Sequence, residues 1–195
     1  LLGNVRFDDV VITTPGDTDR HTDLRLSPPD FFSRDLDDAL LAGAIDCAVH
    51  SAKDLPADPP AGIECFWLPW REDPTDAILL PDGQSELPTG SFRIGVSSDR
   101  REAYCKQFFP EAEQASIRGN IEERLAQLDA GDYGMLIMAT AALNRLGLQH
   151  RIFQRIPLSD LQVPEGQGVL AMTFRQGDQR FTALRNLLLY PVVLA

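Results

Sequence analysis

Four side chains able to carry a proton or a charge, His50, Ser51, Lys53 and Asp54, arrive together in Val49-His50-Ser51-Ala52-Lys53-Asp54-Leu55-Pro56. They follow an apolar run, Ile45 to Val49, that reads as a short buried strand, and Pro56 stops whatever follows. In parallel α/β sheets ligands gather at the carboxyl edge of the strands, so this cluster stands where chemistry is done. The competing reading is a solvated turn with an incidental ion pair.

A second stretch shows that the fold does not demand the polar cluster. Ala42 to Leu55 aligns without gaps against Ala130 to Leu143. Each copy follows a helical pattern, breaks at a glycine and enters an apolar strand. Where the first copy has Lys53 and Asp54, the second has Ala141 and Ala142. A backbone unit that accepts alanine there has no structural need of the charges, which favours a site.

The arginines point to an anion. Arg100 and Arg101 fall in the first helical turn after Ser97-Ser98, Arg118 stands just before Gly119-Asn120, Arg124 lies one turn into the next helix, and Arg145 follows the second repeat copy. Cations at a helix N-terminus oppose the helix dipole. A bound anion removes the conflict, because free backbone N–H groups and guanidinium forks both seek one. The competing reading is surface ion pairing, with Glu122 and Glu123 serving Arg124. The set as a whole, placed at strand ends, suits a polycarboxylate or a phosphate. There is no P-loop and no dinucleotide glycine fingerprint.

The elements that must position these residues alternate. Val10-Val11-Ile12 reads as a strand, followed by a polar loop. Phe32, Leu36 and Leu40 recur at helical spacing up to Gly43. After the polar cluster, Ile63, Cys65 and Trp67 alternate as a strand. Residues 69–76 cross to a second lobe, where strands are expected over 76–80, 92–96, 115–117 and 135–138. The helices between them start at Ser97–Asp99 and at Asn120, where Asp99/Glu102 and Asn120/Glu123 have capping-box spacing. A loop over 163–168 leads to a strand at 169–174 that returns to the first lobe, and a helix over 181–189 ends the pattern. Strand–helix alternation predicts parallel βαβ units. The expected architecture is α/β in two lobes, residues 1–70 plus 166–195 and residues 75–162, with a cleft between them of the kind that takes small molecules.

The 195-residue chain carries a net charge of −11, which excludes nucleic acid and an anionic membrane as general partners. The acidic clusters hold no His or Cys at ligand spacing, so no metal site is expected. Cys47, Cys65 and Cys105 are odd in number and far apart, so they read as buried thiols in a reducing compartment. With no signal-peptide pattern and no apolar run long enough to span a bilayer, a cytoplasmic location is expected.

Six segments carry a resemblance: AVHSAKDLP at 48–56, REDPTDA at 71–77, GVSSDRR at 95–101, IRGNIEERL at 117–125, ALNRLGL at 142–148 and VPEGQGVLA at 163–171. In order and spacing the chain resembles the porphobilinogen deaminase (hydroxymethylbilane synthase) family from about residue 10 to residue 185. That family joins four porphobilinogens head to tail, releasing ammonia, on a dipyrromethane primer bound to a cysteine. Its first two domains resemble the type II periplasmic-binding-protein fold. The resemblance implies that Asp54 is the catalytic carboxylate, hydrogen-bonding pyrrole N–H groups and stabilising the cation formed as the amine leaves. It implies that Lys53, Ser98, Arg100, Arg101, Arg118, Arg124 and Arg145 hold the acetate and propionate groups of primer and substrate, with Phe32 near the cleft. It implies a monomer whose partners are porphobilinogen and the growing pyrrole chain.

Three departures stand against the family pattern. The family's Arg-Ile-Gly-Thr-Arg type opening strand and its helix precede the first residue here. Its primer cysteine lies in a third, C-terminal domain beyond the last residue here, and none of Cys47, Cys65 and Cys105 falls at that place. Ser33, Asp99 and the tail from Leu187 stray from the common pattern. This chain alone is therefore expected to be inactive. The alternative function, from another class, is a non-catalytic bilobal protein that binds polycarboxylates or other small anions.

Overall fold

Two sheets divide the strands of the computed structural model, which describes residues 8–19, 28 and 30–189. After the one-turn helix α1 (Pro15–Thr18), helix α2 (Arg34–Leu41) carries a single apolar stripe and buries Leu40 against Ile45, Ala48 and Ile63. Strands β1 (Cys47–Ser51) and β2 (Ile63–Arg71) do not touch each other in the first sheet. Between them lies the late strand β8 (Val169–Arg175), antiparallel to both, with Met172 opposite Val49 on one side and Phe66 on the other. Helix α6 (Gln179–Leu189) closes this lobe, its Phe181 stacked on Phe174 at 5.5 Å.

The second sheet is built from β3 (Asp76–Leu79), β4 (Arg93–Val96), β5 (Glu113–Ser116), β6 (Met135–Ala139) and β7 (Ile152–Ile156), in the order β5-β4-β6-β3-β7. Helix α3 (Asp99–Phe108) joins β4 to β5, α4 (Ile121–Asp129) joins β5 to β6, and α5 (Thr140–Arg145) follows β6. Successive residues of β6 point to opposite faces: Met135 and Ile137 join Tyr104 and Cys105, while Leu136 and Met138 join Leu125, Leu128 and Leu143. Both faces are thus covered, and every residue of β6 is buried. The chain passes between the sheets at 72–75 and again at 163–168.

Several sequence expectations are corrected. Val10–Ile12 is not a strand: Val10 and Val11 are exposed, no strand partner lies beside them among the described residues, and only Ile12 packs on the Leu40 cluster. The first strand is Cys47–Ser51 rather than 45–49, because Ile45 sits in the turn after α2 with its side chain in the core. Only β4–β5 and β4–β6 are parallel, since β8 and β3 enter their sheets from crossings and run against their neighbours. In β2 the buried residues are Ile63 and Phe66, while Trp67 is exposed, and Leu146 is exposed beyond α5. Ser98, not Asp99, holds the N-cap position of α3 and makes no side-chain cap hydrogen bond there, whereas the Asn120/Glu123 capping box forms with both hydrogen bonds. Of the polar loop expected over 13–23, residues 13–19 are described and include the one-turn helix α1, while 20–23 and the end of the chain beyond 189 lie outside the described residues.

Candidate anion-binding cleft

Ends of strands from both sheets open into one cavity of about 830 Å³. From the first lobe, β1 and the 3-10 turn Ala52–Asp54 bring Ser51, Lys53 and Asp54 to its wall. From the second, the β4–α3 junction brings Ser97 and Ser98, the turn before α4 brings Arg118, and α4 itself brings Arg124. Met138, Ala139 and Ala142 form an apolar stretch of wall, and the Phe32 ring reaches the cavity from the turn before α2. Five cations (Lys53, Arg100, Arg101, Arg118, Arg124) and one carboxylate (Asp54) line it, so the concavity favours anions.

Asp54 accepts no hydrogen bond among the described residues. Its side chain is exposed by area yet surrounded by the cleft walls. Burial pushes its carboxyl above the usual range, while Lys53 and Arg101 pull the other way. Water reaching the exposed side softens that burial effect. An unpartnered carboxylate of this kind can accept N–H groups from a ligand or face a developing cation. Burial, and next the charge of Arg101, lower the neighbouring Lys53 ammonium, whose Nζ donates to Gln167 Oε1 at 3.4 Å.

Arg100 and Arg101 are not free for a ligand in the way their position suggested. Both donate to Asp76, whose side chain is wholly buried at the start of β3: Arg101 through Nη2 at 2.7 Å and Arg100 through Nη1. Burial alone would raise the Asp76 carboxyl, but Arg101 and Arg100 hold it below the usual range. The conflict between cation and helix dipole is resolved from inside the protein, by a residue distant in sequence.

Arg118 and Arg124 are different. Arg124 donates Nε to the Gly119 carbonyl at 2.7 Å and Nη1 to Ser97 Oγ at 2.9 Å, and it meets no carboxylate in ion-pair contact among the described residues. Burial, with the charges of Arg101 and Arg118, pushes its guanidinium down to about 10. Arg118 donates Nη2 to the carbonyls of Gly16 and Asp19 and so reaches the segment around α1 across the cleft. Ser98 Oγ, Arg101 Nε and Arg118 Nε are buried without a partner. Ser98 is thus where the sequence placed it, with a hydroxyl available. Arg145 does not line the cavity. It is exposed and donates Nη2 to the Gly168 carbonyl at 2.6 Å, tying α5 to the 163–168 loop instead.

Three members of the constellation escaped the sequence reading: Asp76, Gln167 and Ser97. Asp76 and Gln167 lie within recognised segments, but a lone acid or amide there announces no partner. Of the cysteines, Cys105 is fully buried, and burial pushes its thiol up to about 12, while Cys47 and Cys65 are half-buried with raised thiols, again through burial. Thiols so placed are poor nucleophiles.

With this geometry in hand, a family model described as porphobilinogen deaminase, dipyromethane cofactor binding domain, matches residues 2–183. A porphobilinogen deaminase of Phenylobacterium zucineum is 38% identical over 190 residues, covering 95% of this chain and 59% of the relative. One of Syntrophotalea carbinolica is 40% identical over 175 residues, covering 88% of this chain and 55% of the relative. The chain therefore spans a little over half the length of the curated relatives it matches. Among solved structures, the VFT2 domain of Bordetella pertussis BvgS aligns over 82% of this chain and 68% of its own at a TM-score of 0.48 and 14% identity.

Proposed function

This chain belongs to the porphobilinogen deaminase family, and we propose that its cleft binds carboxylate-bearing pyrroles for hydroxymethylbilane synthesis. In the whole protein, four porphobilinogens are joined head to tail with loss of ammonia. The observation that carries this reading is Arg124, a cation at the cavity wall with no carboxylate in ion-pair contact among the described residues. Each pyrrole of the substrate brings an acetate and a propionate, which supply the missing countercharge.

The residues present fit a dipyrromethane primer. Among the described residues Arg124 meets no carboxylate in ion-pair contact, Arg118 donates to carbonyls, and Ser98 Oγ has no partner, so carboxylates would satisfy all three. When bound, the primer supplies the pyrrole carbon to which the next ring is joined. Arg118, Arg124 and Ser98 hold the side-chain carboxylates, and Lys53 adds charge beside them. Asp54 accepts ring N–H groups and stabilises the cation left when the amine departs. A purely binding role gives no reason for a carboxylate among five cations, which separates this reading from a non-catalytic anion binder. None of Cys47, Cys65 and Cys105 is assigned as the attachment point.

The lobes are taken as 1–70 plus 166–195 and 75–162, supported by the membership of the two sheets. On the same reading the protein works as a cytoplasmic monomer with no nucleic-acid or membrane partner. Calorimetric titration of the chain with porphobilinogen tests the binding. Saturable binding that is lost in Arg124→Leu is the expected result, and heat indistinguishable from dilution overturns the reading.

A further inference from the structure

We infer that Gln167 is a positioning residue, a polar clasp that locks the two lobe crossings together and sets Lys53 and Arg100 at the cleft. Its side chain is fully buried although it lies in a connecting loop. Oε1 accepts from Arg100 Nη2 at 3.1 Å and from Lys53 Nζ at 3.4 Å. Nε2 donates to the Pro74 carbonyl at 2.6 Å and to Asp76 Oδ1 at 3.2 Å. Both lone pairs and both protons of the amide are therefore used, the full capacity of the group. The partners also fix which way the amide faces, because turning it over would set its N–H groups against two cations and its oxygen against a carbonyl and a carboxylate.

The backbone around it joins the same parts. The Gln167 carbonyl accepts from Arg71 Nε at 2.8 Å, and the Gly168 carbonyl accepts from the Glu72 N–H at 2.9 Å. The flanking glycines allow this approach. At Gly166, with φ of 75°, a Cβ would lie 2.9 Å from the Lys53 nitrogen, and at Gly168, with φ of 87°, it would collide with the Glu72 carbonyl oxygen. The Gly-Gln-Gly segment is thus wedged between the turn bearing Asp54 and the other crossing. A change in the angle between the lobes has to pass through these bonds, and it displaces Lys53 and Arg100 as it does so.

No other side chain fits all four contacts. Glutamate has the same shape but sets an oxygen against the Pro74 carbonyl and the Asp76 carboxylate. Methionine keeps the volume and loses every bond.

The test uses the 195-residue chain without ligand, by hydrogen exchange with mass spectrometry. In Gln167→Glu and in Gln167→Met, amides of 52–55 and 71–75 should exchange about tenfold faster or more, while α4 and β6 keep their protection. If Gln167→Glu does not fold, Gln167→Met decides alone. Unchanged exchange at 52–55, or equal loosening throughout both lobes, overturns the clasp.

A second arm rests on the proposed function: porphobilinogen affinity should fall about tenfold or more in Gln167→Glu, the scale of one charge-assisted hydrogen bond lost. Unchanged affinity would remove the link from clasp to cleft. If the unmodified chain binds no porphobilinogen, the functional reading fails, and the exchange result still decides the clasp.

Discussion

The two copies of the strand-and-turn unit, 42–55 and 130–143, share a sequence frame and differ in what surrounds them. β1 is the outer strand of a three-stranded sheet, buried only at alternate residues, and it ends in a short 3-10 turn bearing Lys53 and Asp54. β6 lies at the centre of a five-stranded sheet, buried along its whole length, and it runs directly into α5. Ala52 and Thr140, the aligned first residues after each strand, are both buried. Beyond them the copies part: Ala141 is packed in the core at 2% exposure, whereas Lys53 and Asp54 line the cavity. Both copies end at the same cleft, one giving charge and the other the small apolar surface of Ala139 and Ala142. A shared sequence frame supplies chemistry in one lobe and room in the other.

The largest expected effect breaks the charged copy. In the full-length enzyme, Asp54→Asn should lower turnover by roughly a hundredfold to ten-thousandfold, as loss of a proton-handling or charge-stabilising carboxylate does. Steady-state assay of hydroxymethylbilane formation decides it, and activity within a few-fold of the parent would remove Asp54 from the chemistry.

Next comes the exchange of character between copies. Ala141→Lys forces a long cation into a filled core and should destabilise by roughly 1–3 kcal/mol from overpacking alone, before any penalty for the buried charge. Lys53→Ala, the reverse change, should leave thermal stability intact or raise it. Burial lowers the Lys53 ammonium, so its charged form is held less well in the folded chain than in the unfolded one. Equal melting temperatures for the two variants would show that the copies are interchangeable after all.

Arg124→Leu should weaken porphobilinogen binding by roughly 1.5–3 kcal/mol, with little change in melting temperature. A large fall in stability with unchanged affinity would make Arg124 a structural residue.

A smaller effect sharpens the role of Asp54. Its carboxyl is raised in the folded chain, so the folded state keeps a proton that the unfolded state releases as pH climbs past the ordinary value of 3.8. The contribution of Asp54 to stability should therefore decline from that pH up to the raised value and then level off, a decline read as the difference between the parent and Asp54→Asn. The melting temperatures of parent and variant should agree below that window, with the variant higher above it. A parent that gains stability relative to Asp54→Asn across the window would reverse the assigned direction.

Local patterns carried much of this arrangement. The helical spacing of Leu36 and Leu40, the Asn120/Glu123 box and the aligned copies all rest on neighbours in sequence, and each is found. Asp54, Lys53, Ser98, Arg118 and Arg124 were placed at strand ends, and they converge on one cavity. Contacts between distant residues were not legible. Nothing around Asp76 says that Arg100, Arg101 and Gln167 meet there, and that meeting changes the reading of two arginines. Arg145 looked like its fellows but faces the Gly168 carbonyl, because α5 turns it toward the crossing. The run Val10–Ile12 has strand-forming residues, yet β propensity is realised only beside a partner.

The strand order β1-β8-β2 also dictates a timetable for folding. Every strand of the second sheet lies between Asp76 and Ile156, so that sheet can assemble from one continuous stretch as soon as it is synthesised. The first sheet cannot. Its central strand begins at Val169, and until that segment arrives β1 and β2 have nothing to pair with, since Cys47 must find Phe174 across the whole of the other lobe. Closing so long a loop is slow relative to local pairing. The lobe bearing Lys53 and Asp54 is therefore completed last, and pulse-labelled hydrogen exchange during refolding should find β4 and β6 protected before β1.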